Sequence, residues 1–170
     1  PPLGADRPAL PPGSPILLRF STRALGAEPQ NWAIAQDRRG LLYVGNSSGV
    51  LEYDGARWRL IPTRERTCIR SLALGRDGRI YVGAQGEIGY LAPDGLGQMA
   101  FVSLKDQIPL EDRDFADVWS TLATPWGVCF GSRRRLFLWA AGHLRVIRPE
   151  TSFHLAFALG DRILVREAGL

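Results

Sequence analysis

The chain has 170 residues, 45% hydrophobic and 22% charged, which places it among globular proteins and excludes a disordered polypeptide. Its formal net charge of +4 rests almost wholly on arginine, with Lys105 the single lysine. The arginines are spread along the chain and cluster only at Arg133-Arg134-Arg135, so no nucleic-acid face is expected. No apolar run approaches the roughly 20 residues of a membrane-spanning helix, and no membrane contact is expected of this segment.

Residues 1–15 are proline-rich, with Gly4 and Gly13 between, and read as an extended, disordered leader without the apolar core of a signal peptide. The chain begins at Pro1, which reads as a processed product or a piece of something longer. Ile16–Arg19 is predicted to be an additional strand ahead of the first repeat.

From Asn31 onward the sequence repeats. Setting Gly40 on Gly78 aligns Leu42 with Ile80, Tyr43 with Tyr81, Val44 with Val82 and Gly45 with Gly83. Each unit carries the same grammar: a strand suited to burial (Trp32–Ala35, Ile69–Leu74, Val118–Ala123), then a glycine turn such as Asp77-Gly78. An aromatic or β-branched second strand ends on glycine; an alternating third strand and a half-exposed outer strand such as Arg57–Ile61 follow. The third copy is weaker, its glycine-bounded unit shortened to Gly127–Gly131, and a fourth starts at His154 and stops in mid-repeat. Four antiparallel strands in about 40 residues, repeated, predict an all-β protein of β-propeller blades. The predicted blades cover residues 31–62, 68–104 and 116–148, with a partial fourth over 153–170; residues 16–170 together form part of a larger propeller.

Most aromatics at equivalent strand positions (Trp32, Tyr43, Trp58, Tyr81, Tyr90, Trp119, Trp126) are expected to pack between neighbouring blades. Cys68 and Cys129 have no CxxC or Cys/His neighbour, so neither a metal site nor a cofactor is expected; buried free thiols are the default, and an oxidising compartment would leave a disulfide open. The acidic group Glu111-Asp112-Arg113-Asp114, with Asp117, lacks the spacing of a calcium loop and reads as a solvated loop.

Propeller loops that join second to third strands, and those that lead into the inner strands, share one face around the central channel, where ligands bind. On that face the candidate ligand-binding residues are Asn31, Trp32, Asn46, Gln85, Glu87, Arg133 and Arg134. Amides suit a sugar or peptide; the arginines suit a carboxylate or sulfate. His143 and His154 are the only histidines and have no nucleophile or acid at a recognisable spacing, so no catalytic residue is assigned and no enzyme is expected. Three and a half blades leave open faces, for which self-association into a complete ring is one solution.

One string is more specific. Gln30-Asn31-Trp32-Ala33-Ile34-Ala35-Gln36-Asp37, then Gly40-Leu-Leu-Tyr-Val-Gly45-Asn46, then Gly49-Val-Leu-Glu-Tyr53-Asp54-Gly55 and Trp58, resembles the opening blade of the two-component regulator propellers. These are the extracytoplasmic sensor regions of bacterial transmembrane signalling proteins. The resemblance implies a periplasmic ligand-sensing segment, with any histidine kinase or diguanylate cyclase output elsewhere in a parent protein. Two other readings stand beside it: a fragment of a propeller lyase or hydrolase, and a protein-interaction scaffold without a small ligand. The lyase reading requires a histidine among the channel-facing loops, and fails if both histidines lie on outer strands or the opposite face; His154 falls in an inner strand.

Overall fold

The computed structural model describes residues 19–21 and 25–169. The predicted leader, and most of the predicted strand Ile16–Arg19, lie outside them.

The described chain is all-β. The first antiparallel sheet runs β1 (Asn31–Gln36), β2 (Leu42–Asn46), β3 (Gly49–Tyr53), β4 (Trp58–Ile61) in sequential order. The second repeats it with β5 (Ile69–Leu74), β6 (Ile80–Ala84), β7 (Ile88–Pro93) and β8 (Met99–Ser103). The third contains β9 (Val118–Thr124), β10 (Gly127–Ser132), β11 (Leu136–Ala140) and β12 (His143–Ile147). A two-stranded sheet, β13 (Phe153–Leu159) with β14 (Arg162–Glu167), follows. The first strands β1, β5, β9 and β13 lie side by side at the inner edge, each beginning a new blade. This is the β-propeller architecture, as an arc of three four-stranded blades and a two-stranded hairpin.

Turn chemistry sets the hairpins. Asp37 accepts the backbone N–H groups of Arg39 and Leu41 at 2.9 and 3.1 Å, closing the first turn around Gly40 at φ +89°. Between β11 and β12 the two-residue turn puts Ala141 and Gly142 both at positive φ, +48° and +80°, as a type I′ hairpin requires.

The core lies between blades rather than within them. Tyr43, Val50, Ile69, Ile80, Val82 and Leu91 form the seam of blades one and two. Tyr81, Ile88, Phe115, Val118, Val128, Phe130 and Phe137 form the seam of two and three. The spacing of these two seams is governed by the glycine one place before the end of the second strand. A Cβ on Gly45 would stand 2.9 Å from Ile69 Cγ2, and one on Gly83 would stand 2.6 Å from Val118 Cγ1. Beside Gly83, the Ser71 hydroxyl donates to the Val118 carbonyl at 2.7 Å and meets Thr121 Oγ1 at 2.8 Å, so the polar groups in this seam are paired.

The aromatics divide. Tyr43 and Tyr81 are buried in the seams as expected, and burial pushes the Tyr43 phenol up to about 12. Trp58 stacks on Tyr53 at 4.6 Å on the outer strands, with Phe20 against both rings. Trp32, Trp119 and Trp126 depart from the inter-blade expectation: each is about half exposed. Trp126 occupies a turn and donates its indole N–H to the Asp161 carbonyl at 2.7 Å, bridging to the next hairpin. Trp32 and Trp119 are displaced by strand bulges, described below. Cys68 and Cys129 are both free thiols, and burial pushes Cys129 up to about 11, which keeps it un-ionised.

Gly83→Ala is expected to force the second and third blades apart at a packed, hydrogen-bonded seam, at a cost of about 1–3 kcal/mol. Chemical denaturation checks it: the midpoint falls, whereas Gly95→Ala, where a Cβ meets no atom within 4 Å, leaves it within experimental error.

Candidate functional site at the channel mouth

The inner strands share a defect. Pairing of β1 with β2 slips between Asn31 and Ala33, and that of β5 with β6 between Ile69 and Ser71. Pairing of β9 with β10 jumps from Ser120 to Val118, and that of β13 with β14 slips between Phe153 and Leu155. Each slip leaves one unpaired residue: Trp32, Arg70, Trp119 and His154. A β-bulge re-aims a side chain that regular alternation would send to one sheet face. Here the same position in four successive blades is re-aimed.

Three of these side chains meet. The Arg70 guanidinium carbon lies 4.1 Å from the centre of the Trp32 ring and 4.9 Å from that of Trp119. The two indoles stand edge to face at 6.2 Å. Arg70 Nε donates to Asp117 Oδ1 at 2.8 Å, completing a contact among residues of the first, second and third blades. Such cation–π contacts contribute about 0.5–2 kcal/mol each, more when water is excluded.

Beside this cluster lies a cleft of about 580 Å³, lined by Phe115, Asp117, Trp119, Arg133, Arg134 and His154 among others. That volume suits a small organic ligand. Its wall is the segment leading into β9, which two anchors hold. Phe115 is buried edge-on against Phe137 at 4.6 Å. Asp112, fully buried, accepts hydrogen bonds from Arg135 Nε at 2.6 Å and from Arg148 Nε and Nη2 at 2.9 and 2.6 Å. Burial pushes the Asp112 carboxyl up, but the hydrogen bonds and charges of Arg148 and Arg135 outweigh it and hold the group below its ordinary value. The solvated-loop reading of this acidic stretch is therefore corrected for Asp112, because two arginines from distant parts of the third blade converge on it. Immediately after the anchors Ala116 takes φ +54°, a costly conformation for a residue with a Cβ, and its carbonyl accepts the Gly86 N–H at 2.8 Å.

The predicted site residues separate into two groups. Trp32, Gln85, Arg133 and Arg134 are exposed on this face, and Gln85 forms a bridge with Asp117. Arg134 is ion-paired with Asp114; Arg133 has no carboxylate partner among the described residues. Asn31 is exposed, but its amide oxygen accepts from Asn46 Nδ2 at 2.8 Å. Asn46 and Glu87 do not offer themselves to a ligand, for both are wholly buried. Asn46 donates to the carbonyls of Glu28 and Gln30 and accepts the Ser48 N–H; Glu87 accepts from the Glu65 N–H and the Ser103 hydroxyl. Both fasten loops. Asp117, Trp119 and His154 line the cleft and Arg70 packs beside it, although none of the four is among the candidates read from the sequence. Their one sequence signal is position, since all but Asp117 occupy the second place of an inner strand. His143 is on β12, away from this face.

Among the described residues no group of three or more His, Cys, Asp or Glu is placed to hold a metal ion.

Stacked four-stranded blades define a β-propeller, here with a cleft of about 580 Å³ at the channel mouth. The chain matches no family model and no curated protein. Among solved structures it is similar to a streptogramin B lyase, with 13% identity, a TM-score of 0.59, and 82% of this chain and 50% of that one covered. It is also similar to the virginiamycin B lyase of Staphylococcus aureus, with 14% identity, a TM-score of 0.52, and 71% and 42% covered. A catalytically inactive form of that lyase with quinupristin gives 13% identity, a TM-score of 0.56, and 82% and 49% covered. The chain thus spans half or less of the length of the lyases it resembles. At this identity the likeness shows the fold alone. The expectation of a non-enzyme is corrected to this extent: the fold is one that these lyases use, so the fold does not speak against an enzyme.

Replacing Asp112 by Asn removes a buried charge that two arginines face, and is expected to destabilise the protein by about 3 kcal/mol. The native carboxylate has a depressed pKa, so its contribution is present above the unfolded value of about 3.9 and is lost as pH falls through the lower folded value. Unfolding midpoints measured between about pH 7 and 2 should fall more steeply with acid in the native protein than in Asp112→Asn.

Proposed function

We propose that the chain is the ligand-binding arc of a lyase-like propeller, with its substrate held at the channel mouth and His154 as the group that moves a proton. The observation that carries this reading is the placement of His154: an exposed imidazole at the bulge of β13, in the same cleft as Trp119, Asp117 and Arg133. His154 is on inner strand β13 rather than in a loop, and its bulge position beside the cleft is what supports this reading. In an elimination a base removes a proton from carbon while the leaving group departs with its bonding electrons, and no water is consumed. Histidine is the commonest side chain in such proton transfers. An exposed imidazole at a cleft wall has the access, and the neighbouring indole offers an apolar surface on which a substrate can rest.

The likeness to structures of streptogramin-type lyases makes quinupristin a reasonable first substrate. Incubation of the protein with quinupristin, followed by mass spectrometry, is expected to give product whose total mass equals that of the substrate. Uptake of one water would instead mark a hydrolase. His154→Ala should lower the rate by at least about 100-fold, the lower range of general acid–base contributions, while leaving the unfolding midpoint unchanged. Turnover that persists in His154→Ala, or no turnover at all, would remove the reading.

A sensing role is the second reading, and the Gln30-Asn31-Trp32 string with Asn46 favours it. That string positions Trp32 at the mouth through the hydrogen bonds of Asn46 to Gln30 and Asn31. A periplasmic sensor would use the same mouth, with ligand binding coupled to an output elsewhere in a longer protein.

A further inference from the structure

We infer that the channel-mouth cleft selects ligands that join an oxyanion to a flat apolar face, Arg133 taking the oxyanion and Trp119 the face. The inference rests on the mouth being the ligand site and goes beyond that reading to the chemical class of ligand.

Charge pairing around the cleft leads to it. Asp117 is engaged by Arg70 at 2.8 Å, Asp114 by Arg134, and buried Asp112 by Arg135 and Arg148. The carboxylates near the cleft are therefore neutralised from within the protein. Arg133 alone among the cleft's arginines lacks a carboxylate, so the excess charge presented to a ligand is positive. Its backbone is fixed, because the Arg133 carbonyl accepts the Phe153 N–H at 2.9 Å across the junction of the third and fourth sheets. The guanidinium thus projects from a rigid lip, and its planar fork matches a carboxylate, sulfate or phosphate with two parallel hydrogen bonds.

The apolar half of the recognition comes from Trp119. About half of this side chain is exposed, yet it is held from behind by the Trp32 edge and the Arg70 guanidinium. An indole fixed in this way offers a stacking surface without a large loss of side-chain freedom on binding. Arg133, Trp119 and His154 also line a smaller adjoining cleft of about 140 Å³ with Ser120 and Ser132, so the cation and the platform face the same space from two sides. A cationic ligand finds no uncompensated carboxylate here, and a small anion without a flat body would leave the indole unused.

Isothermal titration calorimetry on the whole chain tests this with 2-naphthoate, its uncharged analogue 2-naphthalenemethanol, 2-naphthyl phosphate, 2-naphthyl sulfate and inorganic sulfate. The naphthoate should bind at least about tenfold more tightly than the alcohol, the size of one charge-assisted hydrogen bond, and more weakly as salt is raised. Arg133→Gln should abolish that preference, Arg133→Lys should retain part of it, and Trp119→Ala should weaken both naphthyl ligands alike. Unfolding midpoints of the three variants identify any loss that comes from misfolding. The order of carboxylate, phosphate and sulfate among the naphthyl probes identifies which oxyanion the fork prefers. Equal binding of acid and alcohol, a preference that survives Arg133→Gln, or inorganic sulfate binding as tightly as the naphthyl anions would each overturn the inference, as would no binding by any probe. Turnover of quinupristin and its dependence on His154 are read separately, so the lyase reading stands or falls on its own result.

Discussion

The close approach of the first blade to the second, and of the second to the third, depends on a glycine one place before the end of the second strand. Gly45 and Gly83 leave just enough room for Ile69 and Val118 of the following inner strand. Because the seams hold most of the buried apolar area, this spacing determines whether the stacked sheets share a core at all. A methyl group at Gly83 would strike Val118 and the hydroxyls of Ser71 and Thr121 together, disturbing apolar packing and the seam's polar closure at once. The repeat is therefore a packing requirement expressed as sequence.

Tight seams have a further consequence at the channel. With the inner strands fixed side by side, an extra residue in any of them cannot be absorbed by shifting the blade, so it bulges toward the mouth. Trp32, Arg70, Trp119 and His154 are those residues, one per blade. Their identities differ while their position is the same, which is how a repeat scaffold varies a binding face without altering its core. Arg70 packed against two touching indoles, the paired Asp117, the uncompensated Arg133 and the exposed imidazole make a mouth that is flat, apolar in part and net cationic.

The repeats also show one compensation in detail. In the first blade the Tyr43 hydroxyl and Arg39 both donate to Asp37. In the second, the position equivalent to Asp37 is Gly75, and the carboxylate comes from Asp77, which accepts the Tyr81 hydroxyl at 2.9 Å. A Cβ at Gly75 would lie 2.6 Å from Asp77 Oδ1, so the glycine makes room for the relocated acid. The third blade places Cys129 where the tyrosines stand and dispenses with the pair, in keeping with its shortened glycine unit.

What the sequence determined by itself is the all-β class, the blade as repeating unit and the face on which loops gather, because period-two alternation and glycine turns are local and recur within about 40 residues. Arg133, Trp32 and Gln85 were legible as exposed residues of the channel face for the same reason: they lie in or beside those loops. Asn46 and Glu87 were not legible as loop clamps, since an amide or carboxylate at a loop looks the same whether it points to solvent or fastens backbone 16 to 22 residues away. Only the tertiary structure decided that Asp112 is a buried anchor, that Arg70 packs against two tryptophans from other blades, and that His154 faces the cleft. A bulge is invisible in one strand read alone. It exists only as a mismatch in register with a partner strand, and its meaning appears only when neighbouring blades bring four such mismatches to one mouth.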